Sequence, residues 1–221
     1  MKIIERPSPN FEPRSAPVDI LLLHYTGMAT AEAALERLSD PVARVSCHWL
    51  IDEDGTVYRM VDETMRAWHA GLSFWAGERD VNGHSIGIEL VNPGQEWGYR
   101  PFPPAQMTAL AELAAGILAR HAIQPTRVLG HSDVAPERKQ DPGELFDWAW
   151  LAARGIGLWP AADAPAMPVT AEAGLVAIGY EAATPATVAA FQRRYRPGRI
   201  DGVIDAETAH RIGQVAFACR T

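Results

Sequence analysis

Apolar and polar positions alternate along this chain in two rhythms that trade places between residues 20 and 160. The run ILLLHY (20–25) is apolar almost throughout and predicts a buried strand. TAEAALERLSD (30–40) follows at helical spacing, with Thr30 as N-cap and Pro41 beyond its end. SCHWLID (46–52) and TVYRMV (56–61) flank Glu-Asp-Gly and predict a β-hairpin with a glycine-containing turn. SIGIELV (85–91) and RVLG (127–130) predict two more strands.

Between those two lies the strongest helical pattern of the chain. In PPAQMTALAELAAGILARHA, Met107, Leu110, Leu113, Ala114, Ile117 and Leu118 recur on one face, and Pro104 suits a first helical turn. GELFDWAWLAARG (143–155) predicts a shorter helix closed by Gly155. Strands and helices in this order predict an α/β fold, a mixed central β-sheet flanked by helices.

The pattern changes at AADAPAMPV (161–169), which is small, proline-rich and without periodicity, and is expected to be a linker. All seven tryptophans precede it. Three short helical stretches follow, one of them TPATVAAFQRRY with Thr184 as cap and Pro185 at its first position. A segment of this size is near the lower limit for a core of its own. The expected organisation is therefore 1–160, a linker over 161–169, and a small three-helix unit over 170–221.

Composition narrows the function. With 48% apolar residues in 221, a sizeable core is expected. The formal net charge of −7 and scattered Lys and Arg argue against nucleic acid as a partner. DILLLHY is too short for a membrane span, and the first 19 residues carry neither an apolar leader stretch nor a small-residue cleavage site, so the expected location is cytoplasmic. Cys47 and Cys219 are expected as two reduced thiols.

Candidate chemistry gathers at strand ends. His24 closes one strand, His131 follows another, and Asp141 lies in the loop after it; two imidazoles, a carboxylate and an open position would make a catalytic zinc shell. Each residue also has a plainer reading, the histidines as structural strand-end side chains and Asp141 before Pro142 as a helix N-cap. Glu89 shares a face with Gly87 inside an apolar strand. Buried, it suits a general base; on an edge strand it would simply face water. Lys139 could stabilise an oxyanion or be an ordinary surface lysine.

Five segments in order, LLLHYTG, VSCHWLIDEDGTVYRMV, AWHAGLSFWAG, NGHSIGIELVN and VLGHSDVAPERKQDPGELFDW, resemble the zinc-dependent N-acetylmuramoyl-L-alanine amidases of the second amidase family. The resemblance covers about 17–160 and implies one Zn2+ held by His24, His131 and Asp141, with Glu89 and Lys139 as catalytic residues. It places His69, Trp68 and Asn82 near the substrate, Asn82 by ordering the loop before its strand; Trp68 and Trp75 could wall the cleft or pack in the core. His48, His84, His121 and His210 receive no role. Some members carry a catalytic tyrosine where this chain has Cys47, which favours the branch that relies on Glu89. The tail TVAAFQRRYRPGRIDGVIDAETAHRI resembles the small three-helix peptidoglycan-binding domain, with Asp205 where that pattern often has glycine.

The implied activity is hydrolysis of the amide between the lactyl group of N-acetylmuramic acid and L-alanine, in peptidoglycan recycling or turnover. A module that binds muropeptide without cutting it is the alternative from another class; retention of all three ligand positions with Glu89 and Lys139 favours catalysis. Two substrate clues diverge. A chain without a leader suits soluble 1,6-anhydro-muropeptide, whereas a wall-binding tail suits polymeric peptidoglycan in the periplasm or envelope.

Overall fold

The computed structural model describes residues 2–220. The first half of the chain runs β1 (Ile3–Glu5), β2 (Phe11–Pro13), β3 (Ile20–Tyr25), α1 (Ala31–Ser39), β4 (Trp49–Ile51), β5 (Val57–Arg59), β6 (Met65–Ala67), α2 (Val81–His84) and β7 (Ser85–Leu90). The second half runs α3 (Gly94–Trp97), α4 (Pro104–Arg120), β8 (Val128–Gly130), α5 (His131–Val134), α6 (Trp148–Ala152), α7 (Ala171–Ile178), α8 (Pro185–Tyr195) and α9 (Ala206–Ala218). Among the described residues six strands form one sheet in the order β1-β5-β4-β7-β3-β8, and β2 pairs with β6 in a second. Only the β4–β5 hairpin is antiparallel within the larger sheet, so it is the mixed sheet expected from the pattern.

Side-chain alternation assigns the two faces. Leu21, Leu23, Ile86, Ile88, Leu90 and Val128 turn to one side, where the apolar stripe of α4 covers them. Ile20, Leu22 and Leu129 turn to the other, and there the C-terminal helices supply Leu175, Val188, Phe191 and Ile212. Burying each such side chain is worth about 1.5–3 kcal/mol. The second core is thus shared between the sheet and the segment expected as a separate small unit. α1 covers the remaining part of that face with Ala34, Leu35 and Leu38, against Cys47 and Leu50. Both cysteines are free.

Local chemistry explains most element ends. Thr30, Thr170 and Thr184 each accept a backbone N–H of the first turn that follows them, and Pro185 opens α8. Asp205, which departs from the glycine of the resembled pattern, caps α9 through Thr208 N–H at 2.9 Å. The Phe-Gln and Asp-Gly pairs of the tail have a structural role: Gln192 Oε1 accepts from Asp201 N–H and Gly202 N–H at 3.0 and 2.9 Å, while its amide donates to Val203 O. The segment 161–169 is tied along α9, where Gln214 donates to the carbonyls of Ala162 and Ala164 at 3.0 Å. The outermost residues of the expected units, Met1 and Thr221, lie outside the described residues.

One expected helix is shorter than its pattern. Over 143–155 only Trp148–Ala152 is helical. Gly143 sits at φ +87°, in the left-handed region, and Asp147 supplies a stronger start inside the run by accepting Trp150 N–H at 2.8 Å.

Candidate metal centre

The parallel register of β3 and β7 sets His24 beside Glu89. Both belong to the face opposite Leu23 and Ile88, because side chains alternate along each strand. β8 lies on the other side of β3 and ends at Gly130, so the next residue, His131, emerges over the same sheet edge. The chain then returns ten positions later with Asp141, whose carbonyl accepts Ser132 N–H at 2.9 Å. Asp141 does not cap a helix; its carboxylate points to the two imidazoles.

Three donor atoms meet there. His24 Nδ1 lies 3.0 Å from His131 Nδ1 and 3.2 Å from Asp141 Oδ2, and His131 Nδ1 lies 3.1 Å from the same oxygen. All three residues are buried. A tetrahedral ion with bonds of about 2.0–2.1 Å separates its ligands by roughly 3.3 Å, close to this triangle.

Hydrogen bonds behind the rings fix which nitrogens carry protons. His131 Nε2 is 3.0 Å from Ala70 O, which can only accept, so Nε2 is protonated and Nδ1 presents a lone pair. Behind His24 a longer chain does the same. Ser85 Oγ gives its proton to Val81 O and accepts from His69 Nε2; His69 Nδ1 then accepts from His24 Nε2 at 3.0 Å. His24 Nδ1 is left as a second lone pair. Burial and the neighbouring His131 hold the His24 pKa down at about 4, so the ring is neutral. Two lone pairs and a carboxylate converging at 3.0–3.2 Å repel one another unless a cation lies between them, so this donor set fits a divalent ion.

Residues 14–144 match the profile of the N-acetylmuramoyl-L-alanine amidase family. The chain belongs to that family. It is 37% identical to N-acetylmuramoyl-L-alanine amidase AmiD of Escherichia coli K12, over 86% of this chain and 79% of AmiD. It is 35% identical to 1,6-anhydro-N-acetylmuramyl-L-alanine amidase AmpD of Haemophilus influenzae, over 64% of this chain and 85% of that one. Among solved structures, AmpDh3 of Pseudomonas aeruginosa superposes with a TM-score of 0.84 at 30% identity, covering 95% of each chain. The complex of E. coli AmiD with anhydro-N-acetylmuramic acid-L-Ala-D-gamma-Glu-L-Lys gives a TM-score of 0.80 at 35% identity over 95% and 94%.

In this amidase His131 and Asp141, two members of the triangle, line a cleft of about 270 Å³. Glu89, Lys139, Trp68 and His69 line the same space, with Tyr25 and Arg37. Glu89 Oε2 is enclosed and has no hydrogen-bond partner among the described residues. Burial, then the Asp141 carboxylate, push the Glu89 carboxyl well above its ordinary range, with Lys139 pulling the other way. Lys139 is half-buried at the rim.

The other expected site residues separate into cleft and support. Trp68 is half-buried and donates from Nε1 to Glu12 at 3.3 Å, with the Arg44 guanidinium 5.6 Å from its ring centre. Asn82 is buried, and its Oδ1 accepts the backbone N–H groups of His69 and Ala70 at 3.1 and 2.8 Å. It thereby holds the strip that supplies both the His69 ring and the Ala70 carbonyl. His69 needs the absence of a side chain at Gly87, where a Cβ would lie 2.6 Å from the imidazole. Trp75 is buried against Tyr180, away from the cleft. Cys47 is fully buried against Met60, and burial pushes its thiol pKa up, so it is no nucleophile.

His48, without a role from its pattern, joins the two sheets. Its Nδ1 accepts Gly87 N–H at 2.9 Å and its Nε2 donates to Met65 O at 3.1 Å. Burial holds its pKa at about 4. Unfolding exposes the ring to protonation near pH 6.5. Its contribution is therefore full above pH 6.5 and is lost as pH falls toward 4, at about 1.4 kcal/mol per pH unit. In urea unfolding of the metal-free protein between pH 7 and pH 4.5, His48→Gln is expected to reduce the pH slope by one proton's worth. An unchanged slope would place the acid sensitivity elsewhere.

Proposed function

We propose that His24, His131 and Asp141 hold one zinc ion and that the enzyme hydrolyses the amide between the lactyl group of 1,6-anhydro-N-acetylmuramic acid and L-alanine of the stem peptide. The observation that carries this reading is the triangle of converging donors beside the unpartnered oxygen of Glu89, in an open cleft. The bound ligand of the E. coli AmiD complex supports the anhydro sugar as substrate. Imidazole and carboxylate donors suit zinc among the divalent metals.

A bound zinc supplies a Lewis acid that polarises a carbonyl and lowers the pKa of water. Glu89 takes a proton from the attacking water as the C–O bond forms at the lactyl carbonyl. Lys139, on the cleft wall, supplies positive charge to the oxygen on which negative charge develops. As the C–N bond breaks, Glu89 returns its proton to the departing nitrogen, leaving a sugar carboxylate and a peptide amine. Asn82 and His69 keep the metal ligands in place behind this chemistry. On this reading residues 1–160 form the catalytic unit, and 170–221, joined by 161–169, form the peptidoglycan-binding-like unit.

The test is mass spectrometry of soluble anhydro-muropeptide and of purified sacculi after incubation with enzyme as purified, after chelation, and after zinc is restored. Release of free stem peptide from the soluble substrate, abolished by chelation and recovered with one equivalent of zinc, is the expected result. Release from sacculi as well would extend the substrate to polymeric peptidoglycan. Binding of muropeptide without release by the zinc-loaded protein would make it a recognition module. No described helix is long and apolar enough to cross a membrane.

A further inference from the structure

We infer that the C-terminal segment is part of the metal centre: Tyr180, in the loop after α7, and Arg194, on α8, hold the Asp133 carboxylate, which holds the turn that presents His131. Both are thus positioning residues for the reaction. The inference rests on the metal-site reading above.

Asp133 is two residues past His131 and is 2% exposed. Its Oδ2 accepts Gly130 N–H at 2.8 Å and Arg194 Nη1 at 2.8 Å; its Oδ1 accepts Tyr180 O–H at 2.9 Å. One bond thus reaches the residue just before the ligand, and two reach the loop after α7 and helix α8, 47 and 61 positions further along the chain. The four-residue α5 that begins at His131 is too short to set its own orientation, because helix nucleation is unfavourable without tertiary support. Asp133 provides that support.

The two donors are themselves fixed. The Arg194 guanidinium lies 4.0 Å from the Trp148 ring centre and 4.8 Å from that of Tyr195. Tyr180 packs edge-on against Trp75, with ring centres 5.0 Å apart, and the adjacent Gly179 O accepts Ala76 N–H at 2.8 Å. A buried ion pair is a poor source of stability, since apolar replacements are often as stable. Its value here is geometric. A site of this kind tolerates shifts of only about 0.5 Å, and Ser132 N–H also holds the Asp141 carbonyl, so a displaced turn moves two of the three ligands together.

The experiment is zinc titration against a competing chelator, with melting curves of the metal-free protein and steady-state kinetics. Tyr180→Phe keeps the ring packing and removes one hydrogen bond. It is expected to weaken zinc binding about tenfold and to lower kcat at limiting zinc with KM unchanged. In an Asp133→Asn background the same change is expected to add less than about twofold, because it acts through Asp133. Arg194→Met is expected to weaken binding further, but it leaves a buried charge unpaired and can unfold the protein, so Tyr180→Phe decides. Ile212→Val trims the shared core at α9 without touching Asp133, and is expected to lower the melting temperature without moving zinc affinity.

Zinc affinity of Tyr180→Phe within twofold of the parent overturns the inference. Equal losses of affinity in Ile212→Val overturn it too, since the effect would then follow stability alone. If the parent protein binds no zinc that His24→Ala removes, the metal-site reading fails, and the inference with it.

Discussion

Glu89→Gln is expected to lower kcat about 10³-fold while leaving zinc affinity within about twofold of the parent. The side chain sits on β7 in register with His24, so it borders the metal centre without being one of the three converging donors. Its Oε2 is enclosed and has no partner among the described residues, a position that costs stability and that the proposed proton transfers would explain. Glutamine has the same shape but cannot accept and return a proton. The effect on stability has a defined sign. A carboxyl whose pKa is raised by folding contributes fully below its unfolded value and loses that contribution as pH rises through the folded one. Removing it therefore leaves the metal-free protein at least as stable at pH 7 as the parent. Single-turnover release of stem peptide, chelator competition and melting curves separate these effects. A kcat within tenfold of the parent would remove Glu89 from the proton transfers.

Asp141→Asn is expected to weaken zinc binding by about 10²–10³-fold and to reduce turnover at limiting zinc by the same factor. Zinc sites of four ligands bind with about 10–16 kcal/mol, or roughly 2.5–4 kcal/mol per ligand, which sets this range. Asparagine retains the volume and can donate its amide to the lone pairs on His24 and His131. The metal-free variant is therefore expected to fold. What it loses is the stabilisation that zinc confers on the parent, which grows with the logarithm of zinc concentration over Kd. Melting curves with and without zinc check this: a large zinc-induced shift in the parent and a small one in the variant. Equal shifts in both would exclude Asp141 as a ligand. The contrast with Glu89→Gln matters, because one variant is expected to lose the ion and the other to keep it.

Much of this protein was written in local pattern. β3 and α4 are legible because burial on one face or all round leaves a strong apolar period, and the threonine-capped starts of α1 and α8 are legible because a capping side chain acts within three residues. The face carrying Glu89 also follows from alternation alone. β1 and β2 leave little pattern, since they are three-residue strands with exposed side chains that exist through pairing with β5 and β6. The start of α6 was hidden because Asp147, an N-cap inside a helical-looking run, competes with the period around it.

The site divides along the same line. Residue type and the resemblance of five ordered segments singled out His24, Glu89, His131, Lys139 and Asp141 from the sequence. Their meeting depends on the parallel register of β3 with β7 and β8, which brings residues 107 and 117 positions apart to hydrogen-bonding distance. His69 reads as a cleft residue and Asn82 as one that orders the loop before its strand; only the packed strands show that the His69 ring bonds His24 Nε2 and that Asn82 Oδ1 holds the His69 and Ala70 N–H groups. The Asp133, Tyr180 and Arg194 cluster has no sequence spacing to betray it. Local sequence determined the elements and the chemical inventory; only tertiary packing decided which nitrogens are protonated, which oxygen is left without a partner, and that the last 50 or so residues share a core with the sheet that carries the site.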